Sequence, residues 1–133
     1  MAVPGQKPLN FVSSVPANGA RNVSTRLKEI KLVFDKNVVN DLVWSNNRKQ
    51  IRMFKGSERI AIRVRRIPDT VDFSKRRNIY VRPVNALAPN TKYTIVILAD
   101  LTSKAGEKLG KSVVISFTTG KKAAVTPTVV VQE

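Results

Sequence analysis

Cysteine and histidine are both absent from this 133-residue chain, and with them goes most of the catalytic repertoire. There is no thiolate nucleophile, no imidazole base to activate a serine, and no zinc site of the usual nitrogen and sulfur ligands. Disulfides are excluded as well, so stability has to come from packing. Acid is scarce: nine Asp and Glu face 24 Lys and Arg, a formal net charge of +15. Those nine carboxylates are scattered, and only Asp69 and Asp72 lie close in sequence. Nothing holds a carboxylate pair across a scissile bond as hydrolysis requires, and Asp69-Thr70-Val71-Asp72 reads as a turn. No EF-hand loop or acidic ladder points to a cation, and no glycine loop cradles a phosphate. The reading is a non-enzymatic chain with no metal and no cofactor.

Long apolar runs are missing too. Pro4, Gly5 and Pro8 interrupt the N-terminal segment before a signal core or a membrane span develops, so no membrane insertion is expected. Aromatic residues make up only 6% of the chain, with a single tryptophan.

What is present is a strong period of two. Ile30, Leu32 and Phe34 alternate with Lys31, Val33 and Asp35. Ile60, Ile62 and Val64 alternate with Ala61, Arg63 and Arg65, and Ile79 and Val81 with Tyr80 and Arg82. This spacing marks half-buried strands. The stretches around Tyr93–Leu98 and Val113–Thr118 are apolar on both faces and are expected at the centre of a sheet. Shorter runs at Phe11–Val15 and Gln50–Phe54 bring the count to about seven strands, with no sustained helix. That pattern, with turns such as Pro16-Ala17-Asn18-Gly19 and Lys55-Gly56-Ser57-Glu58, suits an all-β, immunoglobulin-like Greek-key β-sandwich. The expected organisation is a flexible flank over 1–10, one domain over 11–119, and a linker or tail over 120–133. The β-prone Thr128–Val131 run is read as linker rather than strand.

Leu87-Ala88-Pro89-Asn90-Thr91-Lys92-Tyr93 opens a strand with Leu-x-Pro-x-Thr-x-Tyr spacing. It resembles the tyrosine corner of fibronectin type III and related sandwiches, in which Tyr93 buries its ring under the preceding loop and returns its hydroxyl to the backbone upstream. Leu87 and Pro89 belong to the same structural motif. The ordered series of Val15-Pro16-Ala17-Asn18-Gly19, Ile30–Asp35, Ile79–Pro83, the Tyr93 segment and Ser116–Thr119 resembles bacterial Ig-like domains of the S-layer type over roughly Val12–Thr119. The resemblance implies a structural or adhesive module of a cell-surface or secreted protein. The loop Asp100–Leu109 departs from the family pattern, with Lys104 before and Glu107 after the Ala105-Gly106 pair.

The basic excess is the main functional clue. A hairpin joining Gln50–Phe54 to Arg59–Arg65, with Phe54 opposite Arg59 and Arg52 opposite Ala61, places Ile51, Met53, Ile60, Ile62 and Val64 on one face. The other then gathers Arg52, Arg59, Arg63 and Arg65 beside Phe54, planar donors for phosphate or carboxylate next to one ring. The plainer reading is a solvated face that discourages edge-to-edge aggregation. Arg48-Lys49 and Lys75-Arg76-Arg77 either extend the patch or decorate loops, the second being favoured. Trp44, following Val38, Asn40 and Leu42 in alternation, either buries its ring at one end of the sandwich, the favoured reading, or stands out as a stacking platform.

Two partner classes follow. The first is anionic cell-wall polymer or neighbouring surface-protein domains, contacted by a monomeric module. The second is nucleic acid, which the charge favours and the shortage of aromatic platforms opposes.

Overall fold

The computed structural model describes residues 8–121. Among them are nine strands, β1 (Phe11–Val15), β2 (Ala20–Val23), β3 (Ile30–Phe34), β4 (Ile51–Lys55), β5 (Glu58–Ile60), β6 (Ile62–Arg65), β7 (Asn78–Pro83), β8 (Lys92–Ile97) and β9 (Val113–Thr119), and one helix, α1 (Asp41–Asn47). They form two layers. One sheet has the order β1-β3-β7-β6, the other β2-β9-β8-β4-β5. All pairings are antiparallel except that of β2 with β9.

The alternation read from the sequence is what closes the sandwich. Ile30, Leu32, Phe34, Ile79 and Val81 from the first sheet meet Ile51, Met53, Tyr93, Ile95, Ile97, Ile115 and Phe117 from the second, all nearly inaccessible to water. Each large aliphatic side chain buried this way contributes about 1.5–3 kcal/mol before entropy is charged against it. Ile60, Ile62 and Val64 pack on the rim of this core.

Several expectations are corrected. Residues 38–44 are not an alternating strand: Asn40 accepts the Leu42 N–H on its side chain and starts α1, with Asp41 in the first turn. Ala20–Val23, unremarkable in sequence because only two of its residues are apolar, is a strand held parallel to β9. Within the segment expected as a flank over 1–10, Leu9 is 1% exposed in the core and Asn10 bonds to Asp35 through both its backbone and side chain. At the other end Gly120 donates to Val23 O and accepts from Asn90 N. Thr128–Val131 lies outside the described residues.

The correction that matters most for function concerns 59–65. The hairpin closes as expected through Phe54 opposite Arg59, but it ends at Met53 opposite Ile60. The chain then leaves the second sheet at Ala61, and β6 joins the first, pairing with β7. Arg52 therefore has no partner at Ala61. Unbroken alternation carries no mark of such a sheet switch, because Ile60, Ile62 and Val64 face the same core from either layer.

Candidate functional site

The switch at Ala61 opens one side of the sandwich. Because β5 covers only the second half of β4, the start of β4 faces β6 across a gap rather than across hydrogen bonds. The result is an open groove of about 780 Å³ with Ile51, Ile62 and Val64 as apolar lining and seven cations around them: Arg48, Lys49, Arg52, Arg59, Arg63, Arg65 and Arg82. No acidic or aromatic residue lines it among the described residues.

Each cation arrives from a definite element. Arg52 projects from β4 between the buried Ile51 and Met53, so it lies on the outer face of the second sheet, with Arg59 nearby on β5. Arg63, Arg65 and Arg82 alternate with inward-facing Val64 and Val81, on the outer face of the first sheet. Arg48 and Lys49 follow the C-terminus of α1. The four arginines expected on a single face are thus split between two outer faces and reunited around the open edge. Phe54 is not in the groove lining: half-buried, it shares the outer face of the second sheet with Arg52 and stands between Arg59 and Thr94. Arg48 and Lys49 extend the patch rather than decorate a loop. Arg76 sits instead over the Phe73 ring, 4.1 Å from its centroid.

Three further residues on the first sheet were not singled out from sequence. Register places Lys31, Tyr80 and Arg65 side by side across β3, β7 and β6, and Arg82 next to Arg63 in the adjacent row. On the first sheet the aromatic ring beside the arginines is that of Tyr80, and Asn78 Nδ2 donates to its hydroxyl at 3.2 Å. Residue spacing alone does not reveal this, because which strands lie side by side is a property of topology. Only Arg82 among the groove cations is ion-paired among the described residues, its Nε 3.0 Å from Glu29 Oε2. The other six carry their charge uncompensated there.

Trp44 lies on α1, half-buried against the core rim. The Arg66 guanidinium covers it at 5.5 Å from the ring centroid, held by Val39 O at 2.6 Å and Asp41 Oδ1 at 2.7 Å. Tyr93 is 2% exposed. Its hydroxyl accepts the Ala88 N–H at 2.7 Å, its ring stacks on Phe117 at 5.7 Å, and Thr119 Oγ1 donates to Ala88 O at 2.6 Å. Leu87 is buried in the core and Pro89 is exposed. In the variant loop, Glu107 accepts from Ser103 Oγ at 2.9 Å and pairs with Lys36 at 2.7 Å, so its carboxylate serves the loop's own turn.

Asp69 accepts from the Asn37 and Asn40 side chains at 2.9 and 2.8 Å, and these bonds hold its carboxyl below the ordinary aspartate range. Asp72 caps the short 3₁₀ turn Phe73–Lys75 through Ser74. No group of acidic residues among the described residues is arranged to hold a metal, and none of their helices is long and apolar enough to cross a membrane.

The sheet orders, with the first strand divided between layers, define an immunoglobulin-type Greek-key sandwich. More particularly, the chain belongs to the bacterial Ig-like domain family, whose profile matches residues 5–119. No match is found among curated proteins. Among solved structures it is similar to the surface layer protein SbsC. Domains 1–6 of that protein share 14% identity at a TM-score of 0.59, over 88% of this chain and 14% of that one. The S-layer structure rSbsC(31-844) shares 14% at 0.58, over 86% and 14%. The N-terminal part of SbsC shares 12% at 0.53, over 88% and 24%. Such identities establish a common fold, and this chain spans about one-seventh of the first of those chains.

Proposed function

We propose that the chain is a non-catalytic structural module of a bacterial cell-surface or secreted protein, and that its arginine groove holds the module against anionic wall polymer. Membership of the bacterial Ig-like family and the fold shared with S-layer domains support the first half. The observation that carries the second is the cluster of six cations, uncompensated among the described residues, at the one side of the sandwich where β4 and β6 are not hydrogen-bonded to each other. A packed spacer has no need of such a cluster, and a concave wall of one sign concentrates polyanions. The module acts as a monomer with no cofactor.

The test is a titration of the purified protein against purified anionic wall polymer and against single- and double-stranded nucleic acid, each at low and physiological salt, with the Arg63→Ala/Arg65→Ala variant alongside. Polymer binding that survives physiological salt and drops about tenfold or more in the variant supports the reading. Preference for nucleic acid under the same conditions overturns it in favour of a nucleic-acid-binding β domain. Uniform weak binding that disappears with salt leaves a structural module whose charge is general.

A further inference from the structure

Arg63 on β6 stands directly opposite Arg82 on β7. Directly opposed residues of an antiparallel pair bring their Cβ atoms within about 5 Å, where like charges repel. The neighbouring pair, Ile62 opposite Pro83, is not a hydrogen-bonding rung: Val84 N donates to Ala61 O at 3.1 Å, so Arg82 and Val84 turn their N–H groups toward β6 and Pro83 withholds no donor from that ladder. One of the rungs that seat β6 in the first sheet therefore sets like charges against each other, and β6 is the edge strand. An arrangement costly when empty and favourable when an anion lies between the two guanidinium groups is the signature of a ligand-linked element.

We propose that the Arg63–Arg82 rung is a binding site for the phosphate groups of a base-free phosphodiester polymer, and that its occupation clamps β6 onto β7. The inference rests on the reading of the groove as the polymer-facing surface. The choice of phosphate follows from geometry. A phosphodiester carries two free oxygens on a tetrahedral phosphorus, with its ester oxygens out of their plane, so that one free oxygen accepts from Arg63 and the other from Arg82 while the chain continues along the strand. Glu29 occupies the Nε of Arg82 and leaves its two terminal nitrogens to the ligand. Arg65 follows Arg63 on the same face, two residues or about 6.6 Å along the strand, so a second phosphate of the same chain meets a second fork. The rings nearest these arginines, Tyr80 opposite Arg65 and Phe54 opposite Arg59, belong to different sheets and lie outside the groove lining among the described residues, so successive bases find no continuous stack, which favours a chain without bases.

The probe is inorganic tripolyphosphate, compared with sodium chloride at equal ionic strength and with single-stranded DNA at equal phosphate. Two readouts are followed on the full chain, the thermal midpoint and amide hydrogen exchange over residues 62–65. Tripolyphosphate at about ten times its Kd is expected to raise Tm by roughly 5 °C beyond chloride and to slow exchange in β6 more than in the central strand β8. Arg63→Gln, which removes the repulsion, is expected to abolish this excess without lowering Tm in its absence. Lys111→Gln removes one charge outside the groove and is expected to retain the excess.

Equal effects of tripolyphosphate and chloride overturn the proposal, as does an excess that persists in Arg63→Gln. A larger stabilisation by DNA than by tripolyphosphate overturns its base-free part. The exchange readout on the unaltered chain decides the matter even where a variant folds poorly. Should the excess hold while wall polymer fails to bind, the phosphate site stands and the polymer reading falls. Polymer binding without the excess overturns the Arg63–Arg82 site and leaves the polymer reading standing.

Discussion

Asn47 and Thr102 are joined by a reciprocal pair of hydrogen bonds: Asn47 Nδ2 donates to Thr102 O at 2.8 Å, and Thr102 N donates to Asn47 Oδ1 at 2.9 Å. The second amide hydrogen of Asn47 reaches Val38 O at 2.8 Å, and its oxygen also accepts from Asn46. The side chain is 0% exposed and fully satisfied. Through it the C-terminal end of α1 is tied to the loop after β8, and with it the base from which Arg48 and Lys49 reach the groove. Asn47→Ala leaves at least three backbone groups without partners, and it is expected to cost about 3 kcal/mol in chemical denaturation. A loss below ~1 kcal/mol shows that water replaces the amide.

Tyr93→Phe keeps the stack on Phe117 and removes only the acceptor for the Ala88 N–H. The expected loss is about 1–2 kcal/mol, with polymer binding unchanged, since Tyr93 is buried in the core and is not part of the groove lining. A variant as stable as the parent means that the bond from Ala88 contributes nothing net.

Trp44 is the only tryptophan, so its fluorescence reports one site. Arg66→Ala uncovers one face of the indole, and acrylamide quenching is expected to increase, with stability falling by about 1–2 kcal/mol. Acrylamide is neutral and does not respond to the change in charge. Unchanged quenching means that the guanidinium does not shield the ring in solution.

Asp69 carries a pH dependence with a definite sign. Hydrogen bonds from Asn37 and then Asn40 lower its folded pKa below the ordinary value of 3.8. A carboxyl depressed in the folded state contributes stability that is fully present above the unfolded pKa and is lost as pH falls through the folded one. Unfolding followed from pH 7 downward should therefore show an acid loss, below about pH 4, that is shallower in Asp69→Asn. Parallel acid limbs in the two proteins assign that loss to other carboxylates.

Much of the fold was legible because alternation is a local property. Strands β3, β7, β8 and β9 follow from side chains two residues apart, and the turn at Gly56 from the positive φ of 60° that glycine adopts freely. Helix α1 escaped notice because Val38, Asn40, Leu42 and Trp44 mimic a strand, and only the Asn40 cap distinguishes the two. Strand β2 was hidden by its polar composition, since its place is secured by pairing with β9 rather than by an apolar stripe.

The amino-acid sequence by itself determined the chemistry available to this protein: a sandwich without thiol or imidazole, a large positive charge, and arginines at alternate positions that face away from a core. Tertiary structure alone decided where those arginines meet. The outward direction of Arg52, Arg59, Arg63 and Arg65 is local, set by the pleat. Their gathering around one groove depends on β6 crossing to the other sheet at Ala61, and on α1 delivering Arg48 and Lys49 to the same edge. Both are long-range packing outcomes, in which hydrophobic residues that fit either layer are assigned to one by the partners available there.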